Sequence, residues 1–125
     1  MTGTAPDGHA TIRMGIIHKR LLAVAEDVGL LLIRGAFSSN IKERHDCSTA
    51  IFDAAGRLIA QADHMPIHIG SLLWGLRAVL ARYTLEEIAE GDAFVMNDPY
   101  LAGGTHLPDI SVLTPVFVGG RLTHF

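Results

Sequence analysis

A long apolar stripe near the N-terminus sets the architecture of this sequence. From residue 10 to about residue 34, apolar side chains recur at steps of three and four positions. The members of this stripe are Met14, Ile17, Leu21, Val24, Val28, Leu31 and Leu32. A repeat of this length places them on one face of an α-helix. The pattern predicts a long helix that ends near Gly35 and packs its stripe into a core.

Shorter elements are predicted after this helix. Residues 48–52 and 57–61 favour the two strands of a β-hairpin, joined by a turn in which Gly56 takes a positive φ. Residues 72–83 predict a middle helix. The second half of the sequence predicts the following elements in order: a short capped helix from Thr84 to near Gly91, a buried strand over 93–96, a loop over 97–109, a strand over 110–118 that Pro115 bends or confines to an edge, and a Gly119-Gly120 turn into a strand over 121–125.

These elements make a mixed α+β fold: a long N-terminal helix, short β-hairpins and a middle helix. Residues 1–9 are polar and are expected to form a flexible tail, which leaves 10–125 as one structural unit. Apolar residues make up 49% of the sequence and charged residues only 18%, against a usual charged share of about 25%. This balance, together with a predicted last strand that runs to the end of the sequence, indicates that further protein covers part of this surface. The covering protein is either more of the same chain, which makes residues 10–125 an incomplete part of a larger domain, or another subunit of an oligomer.

Composition excludes several classes of function. The net charge is −3, so no basic face for nucleic acid is expected. No apolar run approaches the roughly 20 residues that cross a membrane. A lone Cys47 excludes an internal disulfide and fits a reducing, cytoplasmic location. A P-loop is also excluded, because Leu76 and Arg77 stand where its Lys and Ser or Thr would be.

The most specific motif is residues 103–109, which read GGTHLPD. Pro108 forbids a regular helix here, and the two glycines permit tight turns before His106. His106 and Asp109 can therefore point at one centre, where imidazole and carboxylate would bind a divalent metal such as zinc, manganese or iron. The alternative is a capped surface turn.

Three further acidic or histidine side chains are candidate catalytic residues. His64 and His68 are four positions apart and share a side of a strand, or of a helix if it begins at Pro66. Asp98 precedes a proline at the end of a predicted strand and is a candidate ligand or an orienting carboxylate. The alternatives are buried, hydrogen-bonded histidines and an Asp-Pro turn. Cys47 beside His45 is either a nucleophile or a small buried thiol, and the latter is favoured.

Several sequence blocks resemble the hydantoinase B/oxoprolinase family when they are taken together and in order. They are residues 39–48 (SNIKERHDCS), Phe52-Asp53 with Gly56, residues 60–71 (AQADHMPIHIGS), Gly91-Asp92, residues 97–100 (NDPY) and residues 103–110 (GGTHLPDI). The resemblance runs collinearly from about Met14 to Phe125 and covers only the beginning of a family module.

The resemblance implies a metal-containing subunit of an ATP-dependent enzyme. It implies that such enzymes open the ring of a hydantoin or 5-oxoproline, or in another branch carboxylate a ketone, and that an A-type partner subunit or domain handles the ATP. It also implies that His106 and Asp109 are metal ligands and that a further histidine ligand falls shortly beyond Phe125. The 125-residue chain alone is therefore expected to be inactive. A non-catalytic assembly fragment is the remaining alternative.

Overall fold

The computed structural model describes residues 8–62, 65–104 and 106–125. It has the predicted mixed architecture: a long helix, short antiparallel strand pairs and a middle helix. In these ranges no helix combines the length and the apolar character that crossing a membrane requires. The predicted tail lies mostly outside the described residues, and the first helix already includes Gly8 and His9.

The N-terminal helix α1 spans Gly8–Gly35, as predicted, but it does not pack through the predicted stripe. Its buried residues are Ala25, Gly29 and Ile33, while all members of the stripe are exposed except the half-buried Leu21. Residues of small volume at 25 and 29 let the helix approach the neighbouring hairpin closely, and Thr49 Oγ1 donates a 2.7 Å hydrogen bond to the Ala25 carbonyl. The prediction of a buried stripe is therefore wrong: periodicity showed where the apolar side chains lie, but the small residues decide which face is covered.

A short helix α2 over Ser39–Arg44 follows α1. The strands β1 (Ala50–Phe52) and β2 (Leu58–Gln61) then form the predicted antiparallel hairpin. Its turn contains Gly56 at φ 78°. The Asp53 carboxylate accepts hydrogen bonds from the backbone N–H groups of Ala55 and Arg57 and from the Arg57 side chain. These bonds hold the pKa of Asp53 below its ordinary value, with the Arg57 N–H contributing most.

The middle helix α3 spans Pro66–Arg82 and so begins six residues before the predicted start. Proline is tolerated at the first helical position, where its missing N–H would have no intrahelical partner. Leu76 of α3 is fully buried at the centre of the core. The other buried members of that core are Phe52, Val79, Ile88, Leu113 and Phe125.

The predicted short helix after Thr84 is wrong. Glu87 accepts a 2.8 Å hydrogen bond from the Thr84 N–H, as a capping box requires, but the backbone makes only a turn there. The cap is satisfied locally without a continuing helix, because this segment is almost entirely exposed and has no apolar stripe to anchor it.

Four short strands complete the fold. Strand β3 (Phe94–Met96) pairs with β4 (Ser111–Leu113), and β5 (Val116–Val118) pairs with β6 (Arg121–His124), both antiparallel. Strand β3 is only half-buried, since Val95 is exposed. The single strand predicted over 110–118 is two strands, because Pro115 has no N–H to continue a ladder. The Gly119-Gly120 turn is confirmed, with φ of 58° and 74°.

Backbone hydrogen bonds join the first and last hairpins. Phe52 and Phe125 exchange two N–H to carbonyl bonds of 2.8 Å each, and the Ala54 N–H donates to the Thr123 carbonyl. Strand β1 therefore lies beside β6, and the two hairpins form one antiparallel layer against α3. The long loop 97–109 leaves this body after β3 and returns to it at β4.

Candidate functional site

Four side chains from three separate segments meet beside the first turn of α3. His106 Nε2 lies 2.7 Å from Asp109 Oδ1, and the other carboxylate oxygen, Asp109 Oδ2, lies 4.0 Å from His68 Nε2. The same atom, His68 Nε2, lies 3.6 Å from Asp46 Oδ1. We refer to Asp46, His68, His106 and Asp109 as the imidazole–carboxylate cluster. Carboxylate and imidazole groups alternate within the cluster, in the order Asp46, His68, Asp109 and His106, and its two ends lie on different loops.

The start of α3 fixes His68. Because the helix begins at Pro66, His68 lies in its first turn, with its N–H donating to the Met65 carbonyl at 3.2 Å. Ser48 Oγ donates a 2.6 Å hydrogen bond to the same Met65 carbonyl. This bond ties the start of α3 to the segment that follows α2, which carries Asp46. The His68 side chain is mostly shielded, at 19% exposure.

Asp46 reaches the cluster through the end of α2. His45 caps that helix in the left-handed conformation, at φ 55°. The Asp46 N–H then donates to the Asn40 carbonyl at 3.0 Å, and the Cys47 N–H donates to the His45 carbonyl at 2.8 Å. The chain therefore turns at His45 and leads into the segment that Ser48 ties to the start of α3. The sequence marks Asp46 only as one of several His and Asp residues in turns or at the ends of predicted elements, where catalytic groups are often found, and indicates no specific role for it.

Two close glycine contacts hold the long loop against α3. Gly103 has φ 65°, and a Cβ there would come within 2.5 Å of the Trp74 Cβ. A Cβ on Gly75 of α3 would come within 2.7 Å of the Met96 Sδ, just before the loop. At Gly103 the left-handed backbone and the Trp74 contact together require glycine, whereas a side chain at Gly75 would have to displace the Met96 side chain. The loop and the helix are thereby pressed together, which brings His106 and Asp109 alongside His68.

The GGTHLPD segment forms a turn that closes on itself. The Asp109 N–H donates to the His106 carbonyl at 3.1 Å, while their side chains share the 2.7 Å hydrogen bond. Asn97 Nδ2 donates to the Leu107 carbonyl at 2.9 Å and fixes the turn to the end of β3. The two predicted metal ligands therefore lie side by side, with the His106 ring exposed and the Asp109 carboxylate half-buried.

Asp98 is placed differently from the other predicted residues. Its Oδ1 accepts hydrogen bonds from the backbone N–H groups of Tyr100 and Leu101, at 2.7 and 3.0 Å. Its own carbonyl accepts from the Ala102 N–H at 3.0 Å. These bonds shape the start of the loop that ends at the cluster, as the Asp-Pro alternative expects. His64 lies outside the described residues.

Cys47 is a buried thiol, not an activated one. It is 7% exposed, and its burial raises the pKa of the thiol, with the neighbouring Asp46 carboxylate raising it further. Because the thiolate is the reactive form, a raised pKa opposes a nucleophilic role at neutral pH. This favours the small buried thiol over the nucleophile.

The donor types of the cluster fit a divalent metal, whereas its side chains contact one another. His106 and Asp109 share a hydrogen bond, and His68 lies at ion-pair distances of 3.6 and 4.0 Å from Asp46 and Asp109. Two imidazoles and two carboxylates are ligands that zinc, manganese and iron accept. Over 8–62, 65–104 and 106–125, no group of three or more His, Cys, Asp or Glu side chains has a metal-holding geometry. His106 Nε2 and Asp109 Oδ1 are within hydrogen-bond distance of each other, and a cation bound by both would have to replace that contact.

Known proteins are similar to this chain over most of its length. The sequence profile described as Hydantoinase B/oxoprolinase matches residues 10–125. The 5-oxoprolinase 1 of Arabidopsis thaliana is 44% identical over 114 residues, which are 91% of this chain and 9% of that protein. The caprolactamase subunit beta of Pseudomonas jessenii is 35% identical over 111 residues, which are 89% of this chain and 19% of that protein. The chain thus spans about a tenth to a fifth of the length of these relatives.

Proposed function

Because the chain belongs to the hydantoinase B/oxoprolinase family, we propose that it supplies part of the site of a metal-dependent cyclic-amide hydrolase. The substrate is a small lactam or imide ring, such as 5-oxoproline or a hydantoin. The relatives named 5-oxoprolinase and caprolactamase support this reaction class, because both names denote the opening of a cyclic amide.

The observation that carries the proposal is the approach of two carboxylates to the same atom of His68. Its Nε2 atom lies 3.6 Å from Asp46 Oδ1 and 4.0 Å from Asp109 Oδ2. These residues are far apart in sequence, and α2, α3 and the long loop each deliver one of them. A surface turn would need only the local bond between His106 and Asp109; it would not need Asp46 and His68 beside it.

In this proposal His106 and Asp109 hold the metal, and His68 and Asp46 complete or orient its ligands. Such an ion, when bound, supplies a Lewis acid that polarises the lactam carbonyl or activates water. The second oxygen of Asp109, which lies 4.0 Å from His68 Nε2, would orient His68. Asp98 acts as a positioning residue, because its carboxylate holds the loop that carries His106. His64 remains a candidate on the segment just before α3.

The proposal includes a partner that uses ATP. Family resemblance assigns the nucleotide to an A-type subunit or domain, and the name "subunit beta" of the Pseudomonas jessenii relative supports an assembly of more than one subunit. We place this assembly in the cytoplasm, which the free thiol of Cys47 supports.

Metal content tests the site directly. We expect the complete family module that contains this chain, dialysed against zinc, manganese or iron, to retain a divalent ion. Asp109→Asn and His106→Ala should each lower the affinity for that ion by at least about tenfold. His18→Gln, on exposed α1 away from the cluster, is the matched control and should retain the metal. Equal metal content in all four proteins would contradict the proposed site.

Activity tests the reaction class. The chain in its complete assembly with an A-type partner should open 5-oxoproline, hydantoin or caprolactam with ATP consumption, and Asp109→Asn should abolish ring opening. Carboxylation of a ketone by the same assembly, without lactam opening, would instead assign the chain to the carboxylase branch.

A further inference from the structure

The helix α1 carries an apolar face that the rest of the described chain leaves uncovered. We define the α1 seam as the six residues Met14, Ile17, Leu21, Val24, Val28 and Leu31. Leu21 is half-buried and the other five are exposed, with Leu31 reaching 67%. The helix contacts its own fold through a different face, which carries Ala25, Gly29 and Ile33. A contiguous exposed apolar surface of this kind marks an interaction site.

The spacing within the α1 seam specifies the shape of its partner. Successive members are separated by three, four, three, four and three positions. This is the alternation of the a and d positions of a heptad, which pairs with a second helix by inserting each side chain between those of its neighbour. The expected occupant is therefore a helix with the same alternation, crossing at the shallow angle of helical bundles.

We propose that the α1 seam pairs with the α1 seam of a second copy of this chain, with the two helices antiparallel. In that register Leu21 lies opposite Val24 of the second copy, and Ile17 lies opposite its Val28. Met14 lies opposite Leu31 in the same way. The alternation of three and four reads identically from either end, so that each of the six residues meets an apolar partner.

The charges beside the seam select this orientation. Arg20 and Asp27 both occupy the heptad position just before an a residue, on the side of α1 that faces away from its own fold. In the antiparallel register Arg20 of each copy faces Asp27 of the other, which gives two ion pairs. A parallel pair would set Arg20 opposite Ala25 of the other copy and form neither pair. Charge pairs at these flanking positions set helix orientation.

The pairing is also compatible with the bodies of the two copies. The N-terminal half of α1 is exposed over residues 11–20, while the buried contacts of α1 lie between residues 25 and 33. In an antiparallel pair the two folded bodies therefore lie towards opposite ends, each beside the free half of the other helix. Arg13 and Arg34 approach one another only at the solvent-exposed ends, where salt screens their repulsion. This interface is independent of the proposed function, since it uses no residue of the imidazole–carboxylate cluster.

Sedimentation equilibrium of the 125-residue chain tests the pairing. The wild-type chain should show a reversible monomer–dimer equilibrium across micromolar loading concentrations. Val24→Lys places two charges in the central layers and should weaken dimerisation by about a hundredfold or more. Ile16→Lys, also on exposed α1 but away from the seam, is the control and should leave the dimer unchanged. Circular dichroism and thermal unfolding establish that both variants remain folded.

Charge reversal tests the register and the identity of the partner. Arg20→Asp and Asp27→Arg should each weaken the dimer by about tenfold, whereas the double variant should restore the wild-type equilibrium. Rescue requires that the two residues meet across the dimer. A wild-type chain that remains monomeric at every concentration, a dimer that survives Val24→Lys, or a double variant without rescue would each overturn the proposal; the first result would leave the seam to a different protein or chain segment.

Discussion

The two long helices of this molecule are both apolar, yet one is enclosed and the other is not. Helix α3 places Leu76 at the centre of the core, with a hairpin on one side and the long loop on another. Helix α1 is longer and has the more regular apolar repeat, but nearly all of that repeat faces solvent. The difference teaches that periodicity identifies an apolar helix face that can be buried against another element. Only the tertiary structure shows whether that element belongs to the same chain.

Truncating one leucine on each helix should give the largest contrast. Leu76→Ala removes a fully buried side chain and should lower the free energy of unfolding by about 3 to 4 kcal/mol. Leu31→Ala removes an exposed side chain and should change it by less than about 0.5 kcal/mol when only monomer is present. Urea denaturation at low protein concentration measures both. Similar losses at the two positions would break the comparison between the helices.

The loop contact that helps to enclose α3 should be the next most sensitive. Gly103→Ala adds a Cβ against Trp74 at a residue of positive φ, so we expect a loss of about 2 to 3 kcal/mol. Gly104→Ala is the neighbouring control, because a Cβ there meets only ordinary contacts of 3.7 Å or more. Thermal unfolding of both variants, with tryptophan fluorescence reporting on Trp74, measures the difference. Equal melting temperatures would show that the loop does not press on the helix.

Among the changes around α3, those in the hairpin turn beneath it should have the smallest effect. Gly56 in this turn lies against Leu80, and Asp53 holds the turn by its three hydrogen bonds. Asp53→Asn should cost about 0.5 to 1 kcal/mol at neutral pH.

This effect should also depend on pH in a defined direction. Because the pKa of Asp53 is lowered in the folded protein, the stability it contributes is present above the unfolded pKa and is lost as pH falls through the folded pKa. Wild type and Asp53→Asn should therefore converge in stability under acid conditions. A difference that grows on acidification would contradict the role assigned to the carboxylate.

Local signals were sufficient for much of the fold. The extent of α1, the first hairpin and the Gly119-Gly120 turn follow from periodicity and turn chemistry, which act over a few residues. The failures share a cause that is not local. The covered face of α1 depends on what lies beside Ala25 and Gly29, and the split at Pro115 depends on two strands finding different partners.

The candidate site divides in the same way. Residues 103–109 predict the meeting of His106 and Asp109, because the turn that joins them is short. Asp46 could not be predicted, since its approach to His68 depends on a left-handed His45 and on where α3 begins. The sequence does not decide whether a helix begins at Pro66, because a strand and a helix would each place His64 and His68 on one side.

The backbone bonds between Phe52 and Phe125 have a kinetic consequence. They join positions about 70 residues apart, so a large loop must close before either bond forms, and contacts of such long range slow folding. The first hairpin and α3 can assemble from neighbouring sequence well before that closure. The layer that contains β1 and β6 is therefore expected to be completed late, after the helix against which it packs has already formed.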